Sequence, residues 1–257
     1  MKSFFALLAF IFCTSVIADT YHANQKIDDL FLKANVEGTF IVFNVNKSSF
    51  IAHNSLRANK RYIPASTFKI ANSLIGLSVG AVKNVDDVLP YGGKPQRFKS
   101  WEKDMGLRDA IKISNVPIYK ELAHRIGLER MKANVQKMNY GNNQIGSTVD
   151  SFWLEGPLEI SAFEQTQFLS QLAQKKLPFS NEIQESVRDI IKLDEGEGWV
   201  LYGKTGWSNN IGWWVGWVEK QDNIYSFALN MDMTDINDAP KRIELSKASL
   251  KILGIID

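Results

Sequence analysis

The sequence predicts a mixed α/β fold of the α+β kind: an antiparallel sheet flanked by terminal helices, with a mainly helical domain inserted into it. Three observations predict it. Both ends of the chain combine a helix-periodic segment with β-rich runs, the middle reads mainly as helices and loops, and the last third carries three strand-length runs separated by short turns. The length fits, since 257 residues at 45% hydrophobic and 23% charged can bury a sizeable core in one or two closely joined units.

From the start of the chain, Met1-Lys2, the apolar Phe4–Ile11 stretch and the small-residue end Val16-Ile17-Ala18 give residues 1–18 the form of an export signal. The apolar stretch is short for a membrane span. Cys13 is the only cysteine and would leave with the signal, so no thiol nucleophile or disulfide is expected in the mature chain. A lipid anchor on Cys13 is the competing reading, and bulky Phe12 before it speaks against that. The expected destination is the periplasm, with no membrane attachment once the signal is cleaved.

Residues 19–257 then form the folded part, with a sheet subdomain over about 19–60 and 196–257 and a helical subdomain over about 61–195. Ile27, Leu30, Phe31 and Ala34 recur at helical spacing; Thr39–Val45 is β-rich and ends in the turn-like Asn46-Lys47-Ser48-Ser49, after which Phe50–Ala52 can return as a hairpin strand. In the helical block, Ala71, Leu74 and Ile75, and later Leu122 and Ile126, are periodic, with breaks at Gly92-Gly93, Gly141-Asn142 and Gly156-Pro157. Trp199–Thr205, Ile211–Val218 and Ile224–Met231 suit a meander turning first at Ser208-Asn209-Asn210. Pro240 opens a closing helix through Ile243, Leu245, Ala248 and Ile252.

Net charge is +2, from 30 basic and 28 acidic residues without long like-charge blocks, so nothing marks a nucleic-acid or anionic-membrane surface. His22, His53 and His124 are scattered and lack zinc-ligand spacing. The chemistry concentrates instead in Pro64-Ala65-Ser66-Thr67-Phe68-Lys69. A serine hydroxyl needs a neighbouring base, and lysine serves as one only where its surroundings keep it uncharged. Helical i, i+3 spacing brings the two together. Taken alone, the pair reads as Ser66 capping a helix while Lys69 points to solvent. Ser114-Asn115-Val116 alone is a turn or cap, and Lys204-Thr205-Gly206 alone is a strand end whose glycine would let a ligand approach the backbone.

In order, S-x-x-K, then Ser-x-Val about fifty residues on, then K-T-G on a late strand resembles the active-site serine family of penicillin-binding proteins and β-lactamases. With Tyr140-Gly141-Asn142, Ser151-Phe152-Trp153-Leu154 and Gly212-Trp213-Trp214-Val215-Gly216-Trp217, the pattern is similar to class D, the oxacillinase type, over essentially the whole mature chain. The resemblance implies hydrolysis of a small-molecule β-lactam through an acyl-enzyme on Ser66, with Lys69 carboxylated by carbon dioxide as general base and no other cofactor or metal. It implies that Trp153 holds the carbamate, that Ser114 relays a proton, and that Ser66 and Trp207 give backbone N–H groups to an oxyanion hole. Lys204, Thr205, Gly206 and Arg242 are implied to meet the substrate carboxylate, with Lys241 able to do part of the work of Arg242. Val116, Leu154, Trp101 and Tyr140 are implied to line the binding site.

Glu164 invites comparison with the class A water-activating glutamate, but Ser161-Ala162-Phe163-Glu164 fits a capping box and reads as structural. A transpeptidase or carboxypeptidase, and an antibiotic sensor that stays acylated, share the serine and lysine; a short chain without a transmembrane segment favours neither. Substrate range stays open, as does the choice between monomer and homodimer.

Overall fold

The computed structural model describes residues 21–257; the predicted signal, with Cys13, lies outside them. In chain order the elements are β1 (Tyr21–His22), α1 (Gln25–Ala34), β2 (Gly38–Asn44), β3 (Ser49–His53), α2 (Ser55–Asn59), β4 (Arg61–Tyr62), a 3-10 turn (Ala65–Phe68) and α3 (Lys69–Ser78). There follow α4 (Leu107–Lys112), α5 (Val116–Ile126), α6 (Leu128–Lys137), α7 (Phe152–Glu155), β5 (Ile160–Ser161), α8 (Ala162–Ala173) and α9 (Asn181–Ile190). The chain closes with β6 (Lys192–Gly196), β7 (Trp199–Ser208), β8 (Ile211–Lys220), β9 (Asn223–Asp232) and α10 (Ala239–Ile252).

The main sheet has the order β1-β3-β2-β9-β8-β7-β6, so strands from both chain ends pair through β2 and β9, as the sequence predicts. All pairings are antiparallel except β1 with β3. The β7–β8 hairpin turns at Asn209-Asn210, whose φ values of 46° and 60° are both left-handed, the demand that a two-residue hairpin turn of matching twist makes. β8 lies inside the sheet and is apolar on both faces. Trp213, Val215 and Trp217 join the core shared with the helical block, while Trp214 and Val218 join the smaller core under α1 and α10. Its three buried tryptophans each contribute about 5 kcal/mol of transfer free energy at roughly 25 cal/mol per Å².

Three details depart from the sequence reading. β7 runs on to Ser208 rather than stopping at Thr205, so Lys204-Thr205-Gly206 sits within a strand instead of at its end. β6, fully exposed and charged in Lys192-Leu193-Asp194-Glu195-Gly196, joins the sheet before residue 196; its composition gives little β signal because an edge strand need not bury a face. The pair β4–β5 is too short to leave a sequence pattern.

Candidate active site

β7 carries one wall of the site. β6 covers only its first half, pairing from Gly196 with Trp199 up to Lys192 with Tyr202, and the Gly203 N–H then donates to the Ile191 carbonyl at 2.9 Å. In an antiparallel ladder the backbone direction alternates, so the N–H groups of Thr205 and Trp207 point outward too, past the end of β6. Even-numbered side chains face the 3-10 turn. A Cβ on Gly206 would lie 3.0 Å from the Pro64 carbonyl oxygen and 3.0 Å from Thr67 Cγ2, so glycine there lets the strand pack directly on the turn that carries Ser66.

Ala65, just before Ser66, has φ 51°, and Ser114 has φ 54°. Two non-glycine residues in the left-handed region at one site are backbone strain of the sort concentrated at working centres. Past Ala65 the turn feeds α3, whose first residue is Lys69. The Lys69 Nζ donates to Ser66 Oγ at 3.0 Å, and Lys69 is 0% exposed. Burial, and then the charge of Lys204, hold this amine well below the ordinary lysine range, so it favours the neutral form a base requires.

Around Lys69 the surroundings are aromatic. Its Nζ lies 5.1 Å from the Tyr119 ring centroid, and Phe68 stacks on Trp153 with centroids 5.7 Å apart. Tyr119 Oη shares a 2.9 Å hydrogen bond with Ser73 Oγ, which donates to the Lys69 carbonyl, tying α5 to α3 at the lysine. Trp153 is 0% exposed, and its indole N–H has no hydrogen-bond partner. A buried donor left unpaired costs about 1–3 kcal/mol, so it marks a place where an acceptor belongs.

Ser114 lies in the bend between α4 and α5. The cap of α5 is its neighbour: Asn115 Oδ1 accepts from the Ile118 N–H at 3.1 Å, and Asn115 Nδ2 donates to the Trp101 carbonyl at 3.2 Å. Ser114 Oγ is thereby free to accept from Lys204 Nζ, which also donates to the Thr205 carbonyl at 2.9 Å. Burial, with the charge of Arg242 second, lowers Lys204 to about 7. Arg242 Nη1 donates to the Gly206 carbonyl at 2.6 Å, and burial lowers this guanidinium to about 10. Lys241 instead pairs with Asp238 at 2.8 Å, which leaves Arg242 as the cation of this helix on the cleft wall.

The cleft encloses about 490 Å³, within the range of drug-sized sites, and Ser66, Trp101, Ser114, Val116, Leu154, Thr205, Gly206, Trp207 and Arg242 line it. Trp101 is fixed by its indole N–H donating to the Ile113 carbonyl at 3.0 Å. Tyr140 is a correction. It is 1% exposed and packs edge-on against Phe68 with centroids 5.5 Å apart, so it supports the pocket from behind and does not line it. Its hydroxyl is drawn inward to the Gln165 side-chain amide, a buried partner that the motif alone does not reveal.

Glu164 belongs to the capping box of α8, exchanging bonds with Ser161 and receiving Arg61 Nη2 at 2.5 Å. Burial pushes its carboxyl up, but the Arg61 and Ser161 hydrogen bonds together bring it below the ordinary value. His53 is paired with Asp28 at 2.6 Å and His124 with Asp150 at 3.2 Å, and among the described residues no group of three or more His, Cys, Asp or Glu side chains is placed to hold a metal. Sequence reasoning missed Tyr119, Asn115 and Arg97. Asn115 before Val116-Pro117 carries a readable cap signal; the other two acquire meaning only from what the fold brings against them.

The penicillin-binding protein transpeptidase domain family matches residues 19–251. Beta-lactamase OXA-5 of Pseudomonas aeruginosa is 39% identical over 100% of this chain and 99% of its own length. Beta-lactamase OXA-48 of Klebsiella pneumoniae is 38% identical over 97% of this chain and 96% of its own. Among solved structures, FUS-1 (OXA-85), a class D β-lactamase from Fusobacterium nucleatum subsp. polymorphum, superposes with a TM-score of 0.89 at 48% identity, covering 92% of this chain and all of that one. The YbXI class D enzyme from Nostoc gives 0.87 at 39% identity, covering 90% and 99%. Sequence relatives of full length and structures of the same architecture agree that the chain belongs to the class D β-lactamases of the penicillin-binding protein transpeptidase family.

Proposed function

We propose that this protein hydrolyses β-lactams through an ester on Ser66, with Lys69 carboxylated on Nζ as the base for both half-reactions. The observation that carries the reading is the fully buried Lys69 amine 3.0 Å from Ser66 Oγ, beside a buried Trp153 N–H that lacks an acceptor. Only a neutral amine reacts with carbon dioxide, and burial supplies that form. Trp153 would donate to the resulting anion, whose chemistry is to take and return the serine proton.

In acylation Ser66 Oγ, losing its proton toward Lys69, attacks the lactam carbonyl carbon. The oxyanion meets the outward N–H of Trp207 and the N–H of Ser66 at the leading end of the 3-10 turn. As the carbonyl carbon–nitrogen bond breaks, the ring nitrogen takes a proton through Ser114, replenished from the base side, while the Lys204 cation beside it offsets negative charge. Thr205 and Arg242, which line the cleft, receive the substrate carboxylate, with the Lys204 ammonium held beside Thr205 adding its charge. Water then attacks the ester carbonyl on the same oxyanion site, and its proton returns Ser66 to the hydroxyl form. Residues 1–18 direct the chain to the periplasm, where these substrates arrive.

Turnover of a chromogenic cephalosporin tests this against a transpeptidase or a sensor. Many equivalents hydrolysed per enzyme supports the proposal, and a single stoichiometric burst refutes it. Ser66→Ala should abolish covalent labelling by penicillin in intact-mass measurements. Degassed, bicarbonate-free buffer should lower activity and added bicarbonate restore it; indifference to bicarbonate removes the carboxylated lysine.

A further inference from the structure

The lip of the cleft, residues 92–102 before α4, carries charge that the reaction above does not use. The Arg97 guanidinium carbon lies 4.9 Å from the Trp207 ring centroid and 5.4 Å from that of Phe98. It therefore reaches from the lip across to β7, onto the residue whose N–H faces the oxyanion. Arg97 lines the cleft together with Ser66 and Arg242. Among the described residues it has no carboxylate partner, whereas Lys99, two residues on, is neutralised by Glu102. Lys94 on the same lip is likewise unpaired and lines a neighbouring groove that shares Val116 with the cleft. The acid among the cleft-lining residues is Glu155, which follows Leu154 at the end of α7.

A guanidinium stacked on an indole keeps its N–H edge free, since the ring takes up only a face. Arg242 and Lys204 lie deep, with Arg242 spent partly on the Gly206 carbonyl, and on the proposed reading they take the carboxylate beside the lactam ring. Arg97 stands at the opposite depth, at the mouth. Resting on the reading of the site as a β-lactamase, we infer that Arg97 is a specificity-determining residue that receives a second carboxylate, on the acyl side chain of the β-lactam. The preferred substrate class is then dianionic penicillins, with the lip cations adding attraction along the approach.

The test compares benzylpenicillin with α-carboxybenzylpenicillin, which differ by that one side-chain carboxylate, on the full mature chain. The quantity read is the ratio of their kcat/KM values within each protein, in low salt and in about 0.5 M sodium chloride. Arg97→Gln should lower the ratio of the carboxylated to the plain substrate roughly three- to fivefold, the size of a solvent-exposed charge pair. Arg97→Lys should retain most of it, and high salt should erase the difference between Arg97→Gln and the wild type. An unchanged ratio in Arg97→Gln, or an equal loss on both substrates, overturns the inference by leaving Arg97 a neutral bystander or merely a clasp on Trp207. Failure of the wild type to turn over either penicillin would instead remove the β-lactamase reading itself.

Discussion

Lys204 is the residue whose charge state the site controls most directly. With its ammonium lowered to about 7 by burial and by Arg242, it is cationic below that pH and progressively neutral above it. Since kcat/KM follows the ionisation of free enzyme, the substrate carboxylate should be captured best below pH 7, and kcat/KM should fall as pH rises through about 7. Removing a like charge raises an ammonium pKa. Arg242→Ala should therefore move this alkaline limb upward while lowering kcat/KM about tenfold or more through the lost charged hydrogen bond. A pH–rate profile of both proteins checks it, and a limb that stays in place would show that Arg242 does not act on Lys204. On the proposed mechanism Lys69 should set the opposite limb, because the neutral amine that takes up carbon dioxide is depleted as pH falls through its own depressed value. At Trp153, replacement by Phe keeps the ring contact with Phe68 and removes the donor. That variant should accumulate acyl-enzyme in quench-and-mass measurements and need more bicarbonate for the same rate, whereas an unchanged bicarbonate requirement would make Trp153 a packing residue only.

At the scale of elements, the active site is the contact between β7 and the 3-10 turn, and Gly206 sets their separation. A methyl group in place of the Gly206 hydrogen would meet the Pro64 carbonyl and Thr67 at 3.0 Å, both parts of the rigid turn. Gly206→Ala should push strand and turn apart and misplace Ser66 against the Trp207 N–H, lowering kcat by about 100-fold, as ångström-scale misplacements do. Its thermal unfolding should shift only a few degrees, which separates misalignment from misfolding. The same contact explains what the sequence could and could not disclose. Ile27 to Ala34 repeat at helical spacing because α1 buries one face, and Trp213 to Val218 form an unbroken apolar run of strand length because β8 is buried on both faces, so both elements were legible. The exposed β6 and the two-residue β4 bury no face and left no pattern. Ser66, Lys69 and Lys204 were singled out by ordered motifs, and the fold brings Lys69 onto Ser66 and Lys204 onto Ser114. Tyr140 was misplaced because a motif fixes sequence position and not the direction of a hydroxyl, here turned to Gln165. Arg97 was invisible because nothing in residues 92–102 is periodic, and its partner Trp207 lies 110 residues away.

Across the whole molecule, the seam between sheet and helical block encloses Lys69, Lys204 and Arg242, three basic groups whose charged forms burial disfavours. Such an assembly costs folding free energy that the two apolar cores must offset. The cost depends on pH in a definite sense. Unfolded Lys204 holds its proton up to the ordinary lysine value of 10.5, while the folded form releases it near 7. Between those values the unfolded state binds more protons, so stability rises with pH; below about 7 both states are protonated and the penalty is at its full size. Lys204→Met keeps the stem and removes the amine. It should therefore raise Tm by several degrees at pH 6, corresponding to on the order of a few kcal/mol, with the gain shrinking as pH approaches 10. The same variant should lose most of its β-lactam turnover. Calorimetry of both proteins from pH 6 to pH 10 measures the gain directly, and a gain that does not vary with pH would place its origin in packing and not in the buried charge.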